Sequence, residues 1–326
     1  MAKLTMVQAL NLAMRQEMEK DDSIIILGED VGVDGGVFRV TDGLIELFGD
    51  KRVLDTPLAE SGIVGMSIGM AVYGLKPVCE IQFSGFSYLN FHQIESHASR
   101  LRWRSQGRYH VPMVLRTPYG GGVRALEHHS ESREAFWAHI PGVKMVIPSG
   151  PRNARALLIS AIRDPDPVIF YEAKALYRAF REEVPEEEET MPLGRSRLVK
   201  EGKDLTMISY GAMMRPSLEA ALELKEKHGI EAEVIDLLTI SPLDDDLFVE
   251  SVRKTGHAAI IHEAPGSFGP GAEIVSRIME KAFFYLEAPI SRITGFDVII
   301  PSFSREKSYL PDVHRIVRSV RQMLNV

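Results

Sequence analysis

A chain of 326 residues, 45% hydrophobic and 25% charged, has an ordinary globular composition and enough length for two domains. Its net charge of -7 excludes a global basic field for nucleic acid or an anionic membrane, and the local cluster Arg100, Arg102, Arg104 and Arg108 suits a partner contact or a solvated face better than DNA. The single cysteine, Cys79, excludes an internal disulfide and a cysteine-rich zinc site; with no signal-peptide pattern at the amino terminus and no apolar run longer than Ile63 to Leu75, the expected setting is the reducing cytoplasm, without a membrane span.

Met6, Ala9, Leu10, Ala13, Met14 and Met18 recur at three-and-four spacing and predict an amphipathic first helix. Ile24 to Leu27 reads as a buried strand ending at Gly28-Glu29-Asp30. The alternation continues with a strand near Val53, a helix from Ser61, a strand from Pro77 to Phe83 and a helix from Ser87 to Arg104. Then come a strand from Met113 to Arg116, a glycine-rich loop, a strand from Val143 to Ile147, a helix from Asn153 to Arg163 and a strand from Val168 to Tyr171. Continuous aliphatic strands between helices predict a parallel sheet covered on both faces. Arg181 to Thr190, crowded with acids, reads as a solvated connector, which places a domain boundary near residue 185. A second series follows, with strands Leu205 to Tyr210, Ala232 to Leu237, Ala258 to His262 and Ile290 to Ile293, and helices from about Pro216, Asp244, Gly271 and Pro311.

Ligands of open parallel sheets bind beyond the carboxyl ends of the strands. Glu29, Glu60, the Gln82 to Phe86 segment and the loop Tyr119 to Val123 leading to His128-His129 all fall at such ends. Glu60 lies between an apolar strand end (Val53, Leu54, Leu58) and a run of glycines and aliphatics. An acid at a helix start is commonly explained by the helix dipole. A carboxylate in apolar surroundings has a second use, because it needs a hydrogen-bond partner or a proton and can share that proton with a ligand. His128 and His129 are adjacent and show no third ligand at metal spacing, so proton transfer or hydrogen bonding is the better functional reading. Gly62, Gly65 and Gly69 line one helix face, a pattern that costs about 0.5–1 kcal/mol per glycine and predicts close approach of another backbone, such as a helix across a subunit interface.

Taken together, these residues resemble the beta subunit of the thiamine-diphosphate-dependent decarboxylating component of 2-oxo acid dehydrogenase complexes. The resemblance rests on Gly28-Glu29-Asp30-Val31-Gly32, Asp55 through Gly65, Glu80-Ile81-Gln82-Phe83, Gly120-Gly121-Gly122, His129-Ser130 and Pro141-Gly142-Val143-Lys144, with Glu201-Gly202-Lys203-Asp204 and His262-Glu263-Ala264-Pro265 further on. It covers the chain from about Thr5 to Leu324. It implies two doubly wound α/β domains: a transketolase-like pyrimidine-binding domain over residues 1–185, then a transketolase C-terminal-like domain over 186–326 for assembly and acyltransferase docking. It implies that Glu60 hydrogen-bonds the aminopyrimidine of thiamine diphosphate and, by stabilising its imino tautomer, lets the exocyclic nitrogen take the thiazolium proton. Leu58, Gln82 and Phe86 then line the pyrimidine pocket, Glu29 joins the same proton network, and His129 faces the 2-oxo acid or the acyl-carrying lipoyl group. Met113, Ala161, Ile162, Asp164 and Asp166 match a potassium site built mainly from backbone carbonyls.

The chain contains no Gly-Asp-Gly, the start of the motif that holds Mg²⁺ and the diphosphate in this class. The resemblance therefore implies a separate alpha chain carrying that half of the site, in a heterotetramer of two alpha and two beta chains that passes its acyl group to a lipoyl-bearing dihydrolipoyl acyltransferase. A non-catalytic assembly subunit is the reading from another class, but scaffolding needs none of Glu60, Gln82, Phe86 and His129. A nucleotide-binding dehydrogenase would want Gly-x-Gly-x-x-Gly after a strand, and Gly32 to Gly36 matches only in part. Among 2-oxo acids, Ala135 to His139, His262 to Pro265 and Leu286 to Arg292 favour a branched-chain substrate, against which Phe86 and Val298-Ile299-Ile300 speak; pyruvate is the alternative.

Overall fold

The structure, a computed structural model, describes residues 2–325, which form two compact α/β units. The first comprises the chain up to Tyr119 and then Phe136–Leu193; the second comprises Gly120–Ala135 and the chain from Gly194 onward. Two differences from the expected division at residue 185 have physical causes. The chain leaves the first unit at Gly120–Ala135 because that segment's backbone N–H groups are satisfied by carboxylates of the second unit. The first unit also extends to Leu193, because the acidic connector is not simply solvated. Glu189 pairs with Arg152 at 2.7 Å, Glu188 pairs with Arg163 at 2.6 Å and with Lys20, and Arg155 donates to the Glu187 carbonyl at 3.0 Å. Arg163, and after it Lys20, hold the Glu188 carboxyl down to about 2.

The first unit contains β1 (Ala2–Leu4), β2 (Ile24–Gly28), β3 (Val53–Asp55), β4 (Lys76–Glu80), β5 (Val114–Tyr119), β6 (Lys144–Val146), β7 (Val168–Ala173) and β8 (Glu182–Val184). Its main sheet runs β6-β7-β5-β4-β2-β3 with every neighbouring pair parallel, while β1 and β8 pair antiparallel by themselves. Every residue of β2, β5 and β7 is buried, as strands covered on both faces require. The first helix, Met6–Lys20, starts from a reciprocal cap in which Thr5 N–H donates to Gln8 Oε1 at 3.0 Å and Gln8 N–H to Thr5 Oγ1 at 3.4 Å. It packs along the helix Pro151–Arg163, sealed by a 2.7 Å ion pair between Glu17 and Arg163.

The continuous helix expected from Ser87 to Arg104 is broken. A 3₁₀ turn at Ser84–Tyr88, a short helix at Phe91–Gln93 and a π turn at Ile94–Ala98 precede the helix Ser99–Arg104. Ser87 and Asn90, at the start of the expected helix, are poor helix-interior residues that compete for backbone hydrogen bonds, which explains the interruption there. The glycine face of helix Glu60–Val72 is not met by another backbone among the described residues. A Cβ on Gly65 would meet the Gln93 amide at 3.5 Å, one on Gly62 would meet Ala59 at 3.6 Å, and one on Gly69 would meet nothing within 4 Å. Gln93 anchors there by donating to Ser61 Oγ at 3.2 Å.

The second unit contains β9 (Arg197–Lys200), β10 (Leu205–Ser209), β11 (Ala232–Asp236), the short β12 (Thr239–Ser241), β13 (Ala258–Pro265) and β14 (Ser291–Gly295). Its sheet runs β14-β13-β10-β11-β9, parallel except for β9, which closes one edge antiparallel. Helices Met214–His228, Asp245–Thr255, Pro270–Ala282 and Val313–Leu324 begin within a few residues of the expected starts, the last capped by Asp312 accepting from Arg315 N–H at 2.7 Å. No helix among the described residues is long and apolar enough to cross a membrane.

Arg116 on β5 is buried between carboxylates of both neighbouring strands. It meets Glu80 of β4 at 2.8 Å and Glu172 of β7 through two bonds of 2.7 and 2.9 Å, and Tyr177 donates to Glu172 at 2.7 Å. Burial and the Glu172 charge hold the Glu80 carboxyl above its ordinary range even against the opposing pull of Arg116. Removing one member of such a network leaves buried charge uncompensated, so Arg116→Met is expected to lose about 3–5 kcal/mol of unfolding free energy. Urea titration of the parent and variant measures this directly; equal midpoints would show that the network does not hold the strands.

Candidate functional site

The sheet of the first unit brings three loops to neighbouring strand ends, because β2 is hydrogen-bonded between β3 and β4. Glu29 follows β2, Leu58 and Glu60 follow β3, and Gln82 and Phe86 follow β4. Glu60 is the first residue of helix Glu60–Val72, whose N-cap residue Ala59 supplies no side-chain cap. The helix dipole thus favours its charge, yet the residue is only 3% exposed and its Oε2 has no hydrogen-bond partner among the described residues. Glu29 is in the same condition, 6% exposed with Oε1 unpartnered. Burial pushes the Glu29 carboxyl up, the charge of Glu60 adds to the shift, and Asp30 adds a third contribution. Two buried carboxylates, each with one oxygen unpartnered among the described residues, are costly unless a donor arrives from outside.

The surrounding loops are held by polar contacts. Asp55 accepts from Gly32 N–H at 2.6 Å and Val33 N–H at 3.1 Å, and a Cβ on Gly32 would lie 2.7 Å from that carboxylate. Gln82 donates to Asp30 at 3.0 Å, joining the exit of β4 to the turn that carries Glu29. Phe83 stands edge-on to Phe38 at 5.6 Å and to Phe86 at 5.7 Å, with the buried Lys174 ammonium 5.8 Å from the Phe83 ring centre. Leu58 is 77% exposed, an apolar side chain presented outward beside buried acids.

His129 is placed differently from the other expected site residues. It ends the 3₁₀ turn Glu127–His129 in the Gly120–Ala135 segment and therefore belongs to the second unit, whereas Glu29, Leu58, Glu60, Gln82 and Phe86 belong to the first. Of the expected potassium residues, Asp164 takes the Lys144 ammonium at 2.7 Å and Asp166 takes Arg102 at 2.7 Å, so both carboxylates are engaged by cations. The Met113 carbonyl accepts from Val168 N–H at 3.0 Å and the Ala161 carbonyl from Asp164 N–H at 3.3 Å, while Ile162 is buried. No group of three or more His, Cys, Asp or Glu suited to a metal ion occurs among the described residues.

Sequence reasoning missed several polar groups. In the sequence Asp55 stands out only as part of a motif, and its grip on Gly32 and Val33 depends on a contact between strand ends that no local pattern reveals. Asn90 is fully buried with both amide atoms unpartnered among the described residues, and Ser87 Oγ and Thr56 Oγ1 are likewise orphaned there. Glu134, buried and pushed up by desolvation, accepts from Tyr210 at 2.7 Å and leaves Oε2 unpartnered.

Comparison with known proteins agrees with this architecture. Residues 2–179 match the model for the transketolase pyrimidine-binding domain, and residues 194–316 match that for the transketolase C-terminal domain. Among solved structures, a split-gene transketolase described as an inactive beta4 tetramer superposes with a TM-score of 0.81 over 99% of each chain at 22% identity, which is a likeness of fold. The pyruvate dehydrogenase E1 component subunit beta of Acholeplasma laidlawii is 49% identical over 323 residues, covering 99% of this chain and 98% of that protein. Proteins of the same name from Bacillus subtilis strain 168 and Staphylococcus aureus are 49% identical over 324 residues, covering 99% of each partner in the comparison. The chain belongs to the family of E1-component beta subunits of the 2-oxo acid dehydrogenases, built from these two transketolase-type domains.

The raised Glu29 carboxyl has a measurable consequence. The fold favours its protonated form, so its contribution to stability is full below the ordinary value of 4.5 and is lost as pH rises through the folded-state value. Glu29→Gln is therefore expected to raise the thermal midpoint at pH 7–8 relative to the parent and to flatten its pH dependence. Unfolding scans of both proteins from acid to mildly alkaline pH check this, and parallel curves would count against a strained carboxylate pair.

Proposed function

We propose that this chain is the beta subunit of a pyruvate dehydrogenase E1 component and supplies the pyrimidine half of a thiamine diphosphate site. The observation that carries the reading is the pair of buried carboxylates, Glu29 and Glu60, each with an oxygen lacking a partner at adjacent strand ends. These residues fit a ring that offers N–H donors. Glu60 would hold or release a proton at a ring nitrogen, and the neighbouring charge of Glu29 would keep a proton within the pair. Gln82 fixes the Glu29 turn through Asp30, while Leu58 and Phe86 offer apolar contact to the ring faces. When bound, thiamine diphosphate supplies the carbanion stabilisation that decarboxylation of a 2-oxo acid needs.

His129 would exchange a proton with the substrate or the lipoyl acceptor, a task suited to imidazole near neutral pH. Mg²⁺ and the diphosphate would be held by an alpha subunit, two of each chain forming the enzyme, and a lipoyl-bearing acyltransferase would take the acyl group. Potassium would be held by the carbonyls of Met113, Ala161 and Ile162, since a carbonyl that accepts one hydrogen bond keeps a second lone pair and the Asp164 and Asp166 carboxylates are already neutralised. A cytoplasmic setting suits the one buried thiol, Cys79.

The branched-chain preference suggested by the motifs of the second half gives way to pyruvate, the name carried by relatives 49% identical over essentially the whole chain. Those motifs are far from the carboxylate pair in sequence, and much of a substrate pocket would belong to the alpha chain. The isolated chain, given thiamine diphosphate and Mg²⁺, is expected to decarboxylate no 2-oxo acid and to gain activity with its alpha partner. In the assembled pair, kcat/KM for pyruvate should exceed that for branched-chain 2-oxo acids by about 10–200-fold, the discrimination an apolar pocket achieves over small differences in chain length; 2-oxoglutarate completes the panel. Preference for a branched substrate would restore the other assignment, and turnover by the single chain would refute the half-site. Glu60→Gln should abolish turnover in the assembled enzyme while leaving assembly intact, checked by activity alongside sedimentation.

A further inference from the structure

The Gly120–Ala135 segment contributes no strand to a sheet, yet its backbone is tied down by buried carboxylates. Glu306, 2% exposed, accepts from Gly122 N–H through Oε1 and from Arg124 N–H through Oε2, both at 3.0 Å. Glu263, 3% exposed, accepts from Gly121 N–H at 2.8 Å. Gly120 N–H donates to the Glu131 carbonyl at 3.0 Å, closing the ends of the loop on one another. Inside it, Ser130 donates through Oγ to the Leu126 carbonyl at 3.0 Å, and His129 N–H donates to the same carbonyl at 3.0 Å. Just beyond, Glu134 is held by Tyr210 at 2.7 Å.

The glycines are what allow the carboxylates so close. A Cβ on Gly120 would sit 2.5 Å from Glu263 Oε1, and Gly120 and Gly122 adopt φ of +81° and +93°. Arg124 takes the left-handed region at φ 56° without being glycine, a conformation that persists only when its surroundings over-determine it.

We infer that Glu263 and Glu306 are positioning residues that hold the 120–131 loop, and with it His128 and His129, in a working conformation within the beta chain itself. Each acts by accepting backbone N–H groups that a mobile loop would give to water. The inference rests on the proposed role of His129, and the test separates the two.

Glu306→Gln is the sharpest variant, because an amide can accept one of the two N–H bonds but turns a second donor toward the other. In the enzyme assembled with its alpha subunit, kcat with pyruvate is expected to fall about 100-fold, the effect of an ångström-scale misplacement of a reacting group. KM for pyruvate and the thermal midpoint should stay near parental values, and hydrogen exchange should quicken in peptides covering 120–131 alone. Glu263→Gln should reproduce the pattern and serves as the second variant should Glu306→Gln fail to assemble. Parental kcat and parental protection in both variants would overturn the inference, as would protection lost evenly across the second unit. Should the parent pair decarboxylate no 2-oxo acid, the functional reading fails, while the exchange measurement still decides whether these carboxylates restrain the loop.

Discussion

The Arg116 guanidinium is the tie on which the geometry of the first unit depends. It lies on β5, with a carboxylate on each flanking strand, so β4, β5 and β7 are held in register by side chains as well as by the ladder. A planar fork of donors suits this task, because it can engage Glu172 with two parallel bonds and still reach Glu80. Glu80 is the last residue of β4, immediately before the segment carrying Gln82 and Phe86. It also borders the start of the Glu29 turn: a Cβ on Gly28 would lie 2.8 Å from the Glu80 carbonyl, and one on Gly36 would lie 3.3 Å from its carboxylate. Charge buried in the sheet therefore sets where the loops beyond it begin.

Beyond that tie, polar contacts pass from loop to loop. Asp55 holds the backbone after Glu29, and Gln82 holds Asp30. Each contact links the ends of different strands, so the positions of Glu29 and Glu60 follow from the order of strands in the sheet. That is why the two acids, distant in sequence, come to feel each other's charge. Local strength is needed because the place of Glu29 is itself unfavourable: burial and like charge both work against ionising it.

Much of this was legible in the residues. Continuous aliphatic runs such as Ile24 to Leu27 announced covered parallel strands, and the motif residues at their ends led to the family that the close relatives bear out. What was not legible depended on distant partners. The acidic run near Glu188 reads as solvent-seeking by composition, but Arg152, Arg155 and Arg163 on another helix turn it into an edge of the first unit. The glycines of helix Glu60–Val72 implied a neighbouring backbone, and the chain itself offers the Gln93 side chain instead. The branched-chain preference finds no support among the close relatives, which are named for pyruvate.

The chain passes between its two units at Gly120, at Phe136 and again at Gly194, so they are interleaved in sequence. Cutting at any single linker would leave one product with an insert made for the other. A fragment ending near residue 185 would carry Gly121, Gly122 and Arg124 with their N–H groups stripped of the carboxylates that accept them, and Glu134 without Tyr210. The complementary fragment would bury Glu263 and Glu306 with nothing to receive. The two domains are separate families by descent of pattern, but in this chain they are not separable goods: each completes its folding with residues encoded inside or beyond the other.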